Sequence, residues 1–304
     1  MALLSYQKQQ IMKRKQFYQL LLVIILFCVT HAQGGVVPAF KVTVTGKGQP
    51  MLFIPGHTCS GEVWKETVAR FAKKYECHVF TLAGYAGTAP LTEPPFLNTF
   101  KKQIINYIVN KKLNNVILVG HSIGGFLSLG IASEIKGHLQ KVIVVDGMPF
   151  YAGVMDPAAK SGFNEEQAKA MLAGFEKMDK AQLKINQLVV ARSMCSDSTK
   201  WDAIAEWGAT SDRKTMAYAV MEMMGNDIRQ QIAAIKVPVL VIDAYAPSPL
   251  YPTYTREYSL NMYKQQYEQC KTCEIKVTPP SKHFVMYDLP EWFYEVIEHF
   301  IAAV

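Results

Sequence analysis

Two hydrophobic rhythms alternate along this chain of 304 residues. Short apolar, β-branched runs such as Val116–Val119 and Val142–Val145 read as strands buried on both faces. Between them lie longer segments with apolar residues three and four apart. Glu62–Tyr75 presents Val63, Val68, Phe71 and Ala72, and Phe100–Asn110 presents Ile104, Ile105 and Ile108. In chain order the pattern predicts strands at Ala39–Val44, Pro50–Ile54 and Cys77–Leu82, the two runs above, then Val237–Ile242 and Glu274–Val277. Helices are predicted between them, at Ile123–Ile135, around Thr255–Glu268 and from Pro290 onward. Alternation of this kind predicts an α/β fold, a mostly parallel sheet with helices on both faces. From Met155 to Ile235 the strand rhythm stops and helical patterns follow one another: Glu165–Glu176, Ala181–Ala191, Trp201–Trp207 and Asp212–Met224. The simplest organisation is a core of residues 33–154 and 236–304 with a helical cap, residues 155–235, inserted after the strand that ends at Asp146.

The first residues follow a different logic. Basic Met12-Lys-Arg-Lys precedes a ten-residue apolar run, Leu20–Val29, and Thr30-His-Ala32 offers small residues where a leader peptidase cuts. Residues 1–32 are therefore expected to be a secretory signal peptide with its true start at Met12, and the protein to be exported, periplasmic or secreted. The run is too short for an ordinary span, so no stable membrane span is expected after cleavage. Removal of Lys8, Lys13, Arg14 and Lys15 lowers the formal charge from +7 to +3 and leaves about 270 residues. No dense basic stripe remains, which argues against nucleic acid as a partner. Five cysteines remain: Cys59, Cys77, Cys195, Cys270 and Cys273. Cys270-Lys-Thr-Cys273 can close a short bridge or stay as two thiols, and neither a helix start nor a second ligand pair marks it as a redox or metal site. No metal or cofactor is expected.

Candidate chemistry centres on Ser122. The segment Asn115–Gly125 reads as a buried strand, a sharp turn with the serine at its apex, and an amphipathic helix, with Gly120 and Gly124 where side chains would crowd the bend. A serine hydroxyl needs a base to take its proton. Among seven histidines, His283 sits in a loop between the last short strand and the terminal helix, from which it can arch over the sheet edge to Ser122. His31 belongs to the leader, His121 adjoins the serine too closely in the chain, and His78, His138 and His299 lie on strand approaches or in the last helix.

Gly120-His-Ser-Ile-Gly-Gly125, Phe80-Thr-Leu-Ala-Gly-Tyr-Ala-Gly87 and His283-Phe-Val-Met-Tyr-Asp-Leu-Pro290 together resemble the α/β-hydrolase superfamily, in its cap-bearing branch of small esterases. The resemblance runs from about Phe40 to Val304 outside the cap. It implies a serine nucleophile at Ser122, a general base at His283, and an acid between them in chain order. It also implies oxyanion donors at the backbone N–H groups of Ile123 and His57, the latter in Pro55-Gly-His57 where many relatives carry His-Gly-X. Trp64 resembles the aromatic anchor of the following helix. The acid departs from the pattern, because the usual position falls near Pro247. Asp146, at the end of an earlier strand, is preferred, with Asp243 the alternative; a carbonyl or a tyrosine near 245 or 251 could also orient the imidazole. Asp288 reads as the cap of the terminal helix.

The cap is rich in Met171, Met178, Met194, Trp201, Trp207, Met216, Tyr218, Met221, Met223 and Met224. With no arginine cluster to clamp an anion, the expected substrate is a small or medium, largely apolar ester or other acyl compound, hydrolysed through an acyl-enzyme. Alternatives on the same scaffold are a binding protein that has lost its acid, an aminopeptidase, a carbon–carbon bond hydrolase and a cofactor-free haloperoxidase.

Overall fold

The computed structural model describes residues 38–303, apart from positions 157 and 249. The leader expected at residues 1–32, with its start at Met12, lies outside them. Seven strands form one sheet: β1 (Phe40–Thr45), β2 (Gln49–Ile54), β3 (Tyr75–Leu82), β4 (Val116–His121), β5 (Leu139–Val145), β6 (Val239–Asp243) and β7 (Cys273–Val277). Their order is β1-β3-β2-β4-β5-β6-β7, with β1 antiparallel to β3 and every other pair parallel. This is the mostly parallel sheet that the apolar runs predict.

Period-two alternation sorts the strand residues onto two faces. Val116 and Leu118 join a core with Leu52, Ile54, Val142 and Val241. Ile117 and Val119 join the opposite core with Phe53, Ile143 and Ile242. Against the first face pack α2 (Phe96–Asn110), α3 (Ile123–Glu134) and α9 (Arg256–Gln266). Against the second pack α1 (Lys65–Phe71), the short α10 (Val285–Asp288) and the terminal α11 (Pro290–Ala302), where Trp64 stacks on Phe293. Helix α3 is not amphipathic in the surface sense: every residue from Ile123 to Ala132 is buried, because sheet and neighbouring helices enclose it. Lys141 is buried in β5 and its ammonium donates to the carbonyls of Phe300 and Ile301, at 2.7 and 3.1 Å, answering the unpaired end of α11.

One boundary differs from the sequence reading. The helix expected over Glu62–Tyr75 is a 3₁₀ turn, Gly61–Trp64, followed by α1, and Tyr75 opens β3. Its pairing with Gln49 in the β2–β3 ladder outweighs the local helical period.

After β5 and the short α4 (Ala152–Met155), four helices precede β6: α5 (Glu165–Glu176), α6 (Lys180–Met194), α7 (Trp201–Thr210) and α8 (Arg213–Gly225). Asp179 and Gln182 form a reciprocal capping box that starts α6. Two contacts lock this helical insertion onto the sheet. Buried Glu222 of α8 accepts the N–H groups of Phe96 and Leu97 at 2.8 and 2.7 Å, placing a carboxylate on the first turn of α2. The Gly84–Gly87 turn meets the α7–α8 junction through Asp212 N–H to Gly84 O at 2.7 Å and Gly87 N–H to Thr210 O at 3.1 Å. Gly84 has φ +81, and a Cβ there would strike Thr215. Among the described residues no helix is long and apolar enough to cross a membrane.

Candidate active site

Strand β4 ends against a bend it can make only because its flanks are bare. Ser122 has φ 55 and ψ −119, a left-handed conformation that costs energy for a residue with a side chain. The bend is held by Ser122 N–H to Val145 O at 2.8 Å and Phe126 N–H to Ser122 O at 3.0 Å. A Cβ on Gly124 would come within 2.6 Å of Pro55 O, so glycine lets the start of α3 lie against the β2 loop. The hydroxyl thereby stands at a helix N-terminus, in a cavity that Tyr151 also lines.

His283 arrives from the loop after β7, and several bonds fix that loop. His121 Nε2–H donates to His283 O at 3.0 Å, and the two imidazoles lie 4.4 Å apart. Phe284 N–H reaches Met194 O at the end of α6, 3.2 Å away. Burial holds His121 well below the ordinary histidine range, helped by the neighbouring His283, so it is a neutral donor. Among the described residues its Nδ1, buried beside Gly56, meets no hydrogen-bond partner.

The two carboxylates named from sequence have different neighbours. Asp146 Oδ2 lies 2.5 Å from His283 Nδ1. Its other oxygen, Oδ1, accepts from Tyr263 OH at 2.6 Å and from Ala244 N–H at 3.3 Å. Asp243 does not meet the imidazole: it is wholly buried, with both oxygens 2.8 to 2.9 Å from Ser259 Oγ. Burial raises its pKa to about 7, against the lowering effect of Ser259. Tyr251 is largely exposed, and Tyr245 donates its N–H to Thr278. Asp288 corrects the capping expectation. The terminal helix has Leu289 at its N-cap without a side-chain bond. Asp288 instead accepts from Ser196 N–H and Lys282 N–H, at 2.8 and 2.9 Å, and so ties the His283 loop to the end of α6. The reason is spatial: the segment after α6 offers unpaired N–H groups nearer than those of the helix.

Ser122, His283 and Asp146 line one cavity of about 420 Å³ between the carboxyl edge of the sheet and the inserted helices. His57 lines it too. Its Nδ1 pairs with the buried Tyr85 hydroxyl at 2.9 Å, and burial pushes its pKa down to about 4, so the ring is neutral. Among the described residues neither the N–H of His57 nor that of Ile123 meets a protein acceptor. Cys59 lines the same wall as an inert thiol, raised to about 12 by burial. Cys59, Cys77 and Cys195 are free and buried, whereas Cys270 and Cys273 form a disulfide. Of the cap side chains singled out from sequence, Met194, Met223 and Met224 reach the cavity. Trp64 is fully buried, and His78 and His138 bond Tyr107 and Leu113 away from the site.

Three contributors were not foreseen: Tyr151 beside Ser122, Tyr263 on Asp146, and His121 as the support of the His283 loop. The i, i+4 spacing of Tyr263, on α9, and Tyr267, at its C-cap, was the one sequence signal for a polar inner face.

A family model described as the alpha/beta hydrolase family matches residues 51–296. The chain is 23% identical over 202 residues to pimeloyl-[acyl-carrier protein] methyl ester esterase of Vibrio atlanticus, covering 65% of this chain and 76% of that one. The Aeromonas hydrophila enzyme of that name is 23% identical over 270 residues, with 84% and 97% covered. Among solved structures, an esterase of Exiguobacterium antarcticum superposes with a TM-score of 0.71 at 16% identity, over 87% of this chain and 96% of that one.

Proposed function

Because this chain belongs to the alpha/beta hydrolase family, we propose that its cavity hydrolyses small to medium, largely apolar esters through an acyl-enzyme on Ser122. The observation that carries the reading is the His283 Nδ1 to Asp146 Oδ2 contact of 2.5 Å, in the cavity that Ser122 also lines. Fold and relatives point to an esterase or hydrolase acting on small-to-medium acyl substrates.

In the proposed sequence His283 Nε2 takes the proton of Ser122 Oγ as the oxygen attacks the substrate carbonyl. The Nδ1–H then donates to Asp146, whose charge fixes the tautomer and steadies the imidazolium. Negative charge on the carbonyl oxygen falls to the N–H groups of His57 and Ile123. His283 next gives its proton to the leaving alcohol, and a water activated by the same imidazole releases the acid and restores Ser122.

The wall chemistry supports a neutral acyl group. Met148, Met155, Met194, Met223, Met224 and Phe284 supply an adaptable apolar surface. Among the described lining residues there is no lysine or arginine for a second carboxylate, and Asp146 is the lone acid, which leaves an aminopeptidase without an anchor for the substrate amine. The two relatives named above are, by name, esterases of a pimeloyl-[acyl-carrier protein] methyl ester, which supports an ester as the substrate class. The leader pattern and the Cys270–Cys273 disulfide support export to an oxidising compartment.

The test is covalent labelling with a fluorophosphonate alongside hydrolysis of neutral aryl esters. The proposal expects stoichiometric labelling of the wild type and none of Ser122→Ala, with turnover lost in parallel. Unlabelled wild-type protein at micromolar reagent would instead favour a binding protein on this scaffold.

A further inference from the structure

Helix α9 and its C-cap residue Tyr267 turn three hydroxyls toward the ends of β5 and β6. Ser259, Tyr263 and Tyr267 are spaced four apart, which puts them on one face, and all three are buried. A buried hydroxyl without a partner is costly, and each of these has one at the sheet edge. Ser259 Oγ lies against both oxygens of Asp243, Tyr263 OH donates to Asp146 Oδ1 at 2.6 Å, and Tyr267 OH donates to Gly147 O at 2.7 Å. The two tyrosine rings stack nearly parallel, 6.3 Å apart.

We infer that Tyr263 is a positioning residue for the hydrolytic site: it holds Asp146 by one oxygen so that the other meets His283. This deepens the proposed function and rests on it. A carboxylate engaged through a single oxygen can rotate about its Cβ–Cγ bond, so a fixed second bond decides whether Oδ2 stays on the imidazole. Two donors reach Oδ1, and the Ala244 N–H at 3.3 Å is the longer and weaker. The phenol at 2.6 Å is therefore the principal constraint, and its stack on Tyr267 keeps the ring from swinging. Burial and the adjoining carboxylates raise the Tyr263 phenol well above its ordinary range, so it stays a donor at any working pH. One turn earlier Ser259 occupies the oxygens of Asp243, which keeps that second carboxyl from competing for His283.

Steady-state kinetics on a neutral aryl ester test this with Tyr263→Phe, Asp146→Ala, the double variant and Ser122→Ala. Tyr263→Phe is expected to lower kcat about tenfold, the scale of one hydrogen bond to a charged group, with KM within twofold. In the double variant the Tyr263 effect should vanish, leaving the rate of Asp146→Ala within twofold. Wild-type kcat in Tyr263→Phe, or a full tenfold further loss on top of Asp146→Ala, overturns the inference, the latter because a packing role needs no carboxylate. If Tyr263→Phe does not fold, 3-fluorotyrosine at position 263 preserves the ring and strengthens the donor. The acid limb of kcat/KM should then move to lower pH, because Asp146 gives less support to the imidazolium, and an unmoved limb overturns the inference. Residual turnover in Ser122→Ala would sink the serine reading itself; with that variant dead, a negative Tyr263 result sinks the positioning role alone.

Discussion

The ends of β5 and β6 carry two aspartates at the same level on neighbouring strands, and backbone conformation separates their fates. Asp243 is the last residue of its ladder, paired with Val277, so its side chain is committed to the sheet's own interior. Asp146 lies one step beyond β5, at φ 46, with its N–H on Ile242 O. That left-handed turn directs its carboxylate along the cavity wall to His283. The comparison teaches that a strand-end acid becomes available to a site through a left-handed turn of its own backbone.

The largest effects should come from the groups that the Asp146 side of this comparison serves. Ser122→Ala and His283→Ala are each expected to lower ester kcat by about 10⁴-fold or more, measured with active-site-titrated protein. Near-normal turnover in either would leave Asp146 with nothing to orient. The Asp243 side should speak through stability instead. Its carboxyl is favoured in the protonated form when folded, with a value of about 7 against 3.8 for the free side chain. The native state therefore binds the extra proton, and the stabilisation is complete below about pH 4 and lost as pH rises through 7. Urea unfolding should show the wild type weakening by a few kcal/mol over that interval, with Asp243→Asn flatter; parallel curves would remove the contrast between the two acids. A smaller effect should attend Glu222, which docks the inserted helices on α2. Glu222→Ala leaves the N–H groups of Phe96 and Leu97 unpaired and is expected to cost about 1–3 kcal/mol of unfolding free energy. No change in the unfolding midpoint would show that the docking is carried elsewhere.

The sheet was legible because its strands are apolar on both faces, so runs such as Val116–Val119 announce themselves without tertiary knowledge. The bend at Ser122 was legible for a similarly local reason, since Gly120 and Gly124 mark a place where backbone must approach backbone. The acid was not, because Asp146 and Asp243 both follow β-branched runs and only the backbone conformation at each strand end separates them. Tyr263 lies 117 positions from its partner, a relation no local period records. Asp288 was misread because Asp-Leu-Pro imitates a helix entry, while the N–H groups it serves belong to a segment some 90 residues earlier.

The most direct measurement is the turnover of Asp146→Asn and Asp243→Asn on one ester at one pH. Asp146→Asn should fall by about 10²–10⁴, because an amide favours the wrong imidazole tautomer, and Asp243→Asn should stay within about threefold of wild type, as expected for a group outside the reacting centre. The reverse outcome, with Asp243→Asn crippled and Asp146→Asn unimpaired, would contradict the account.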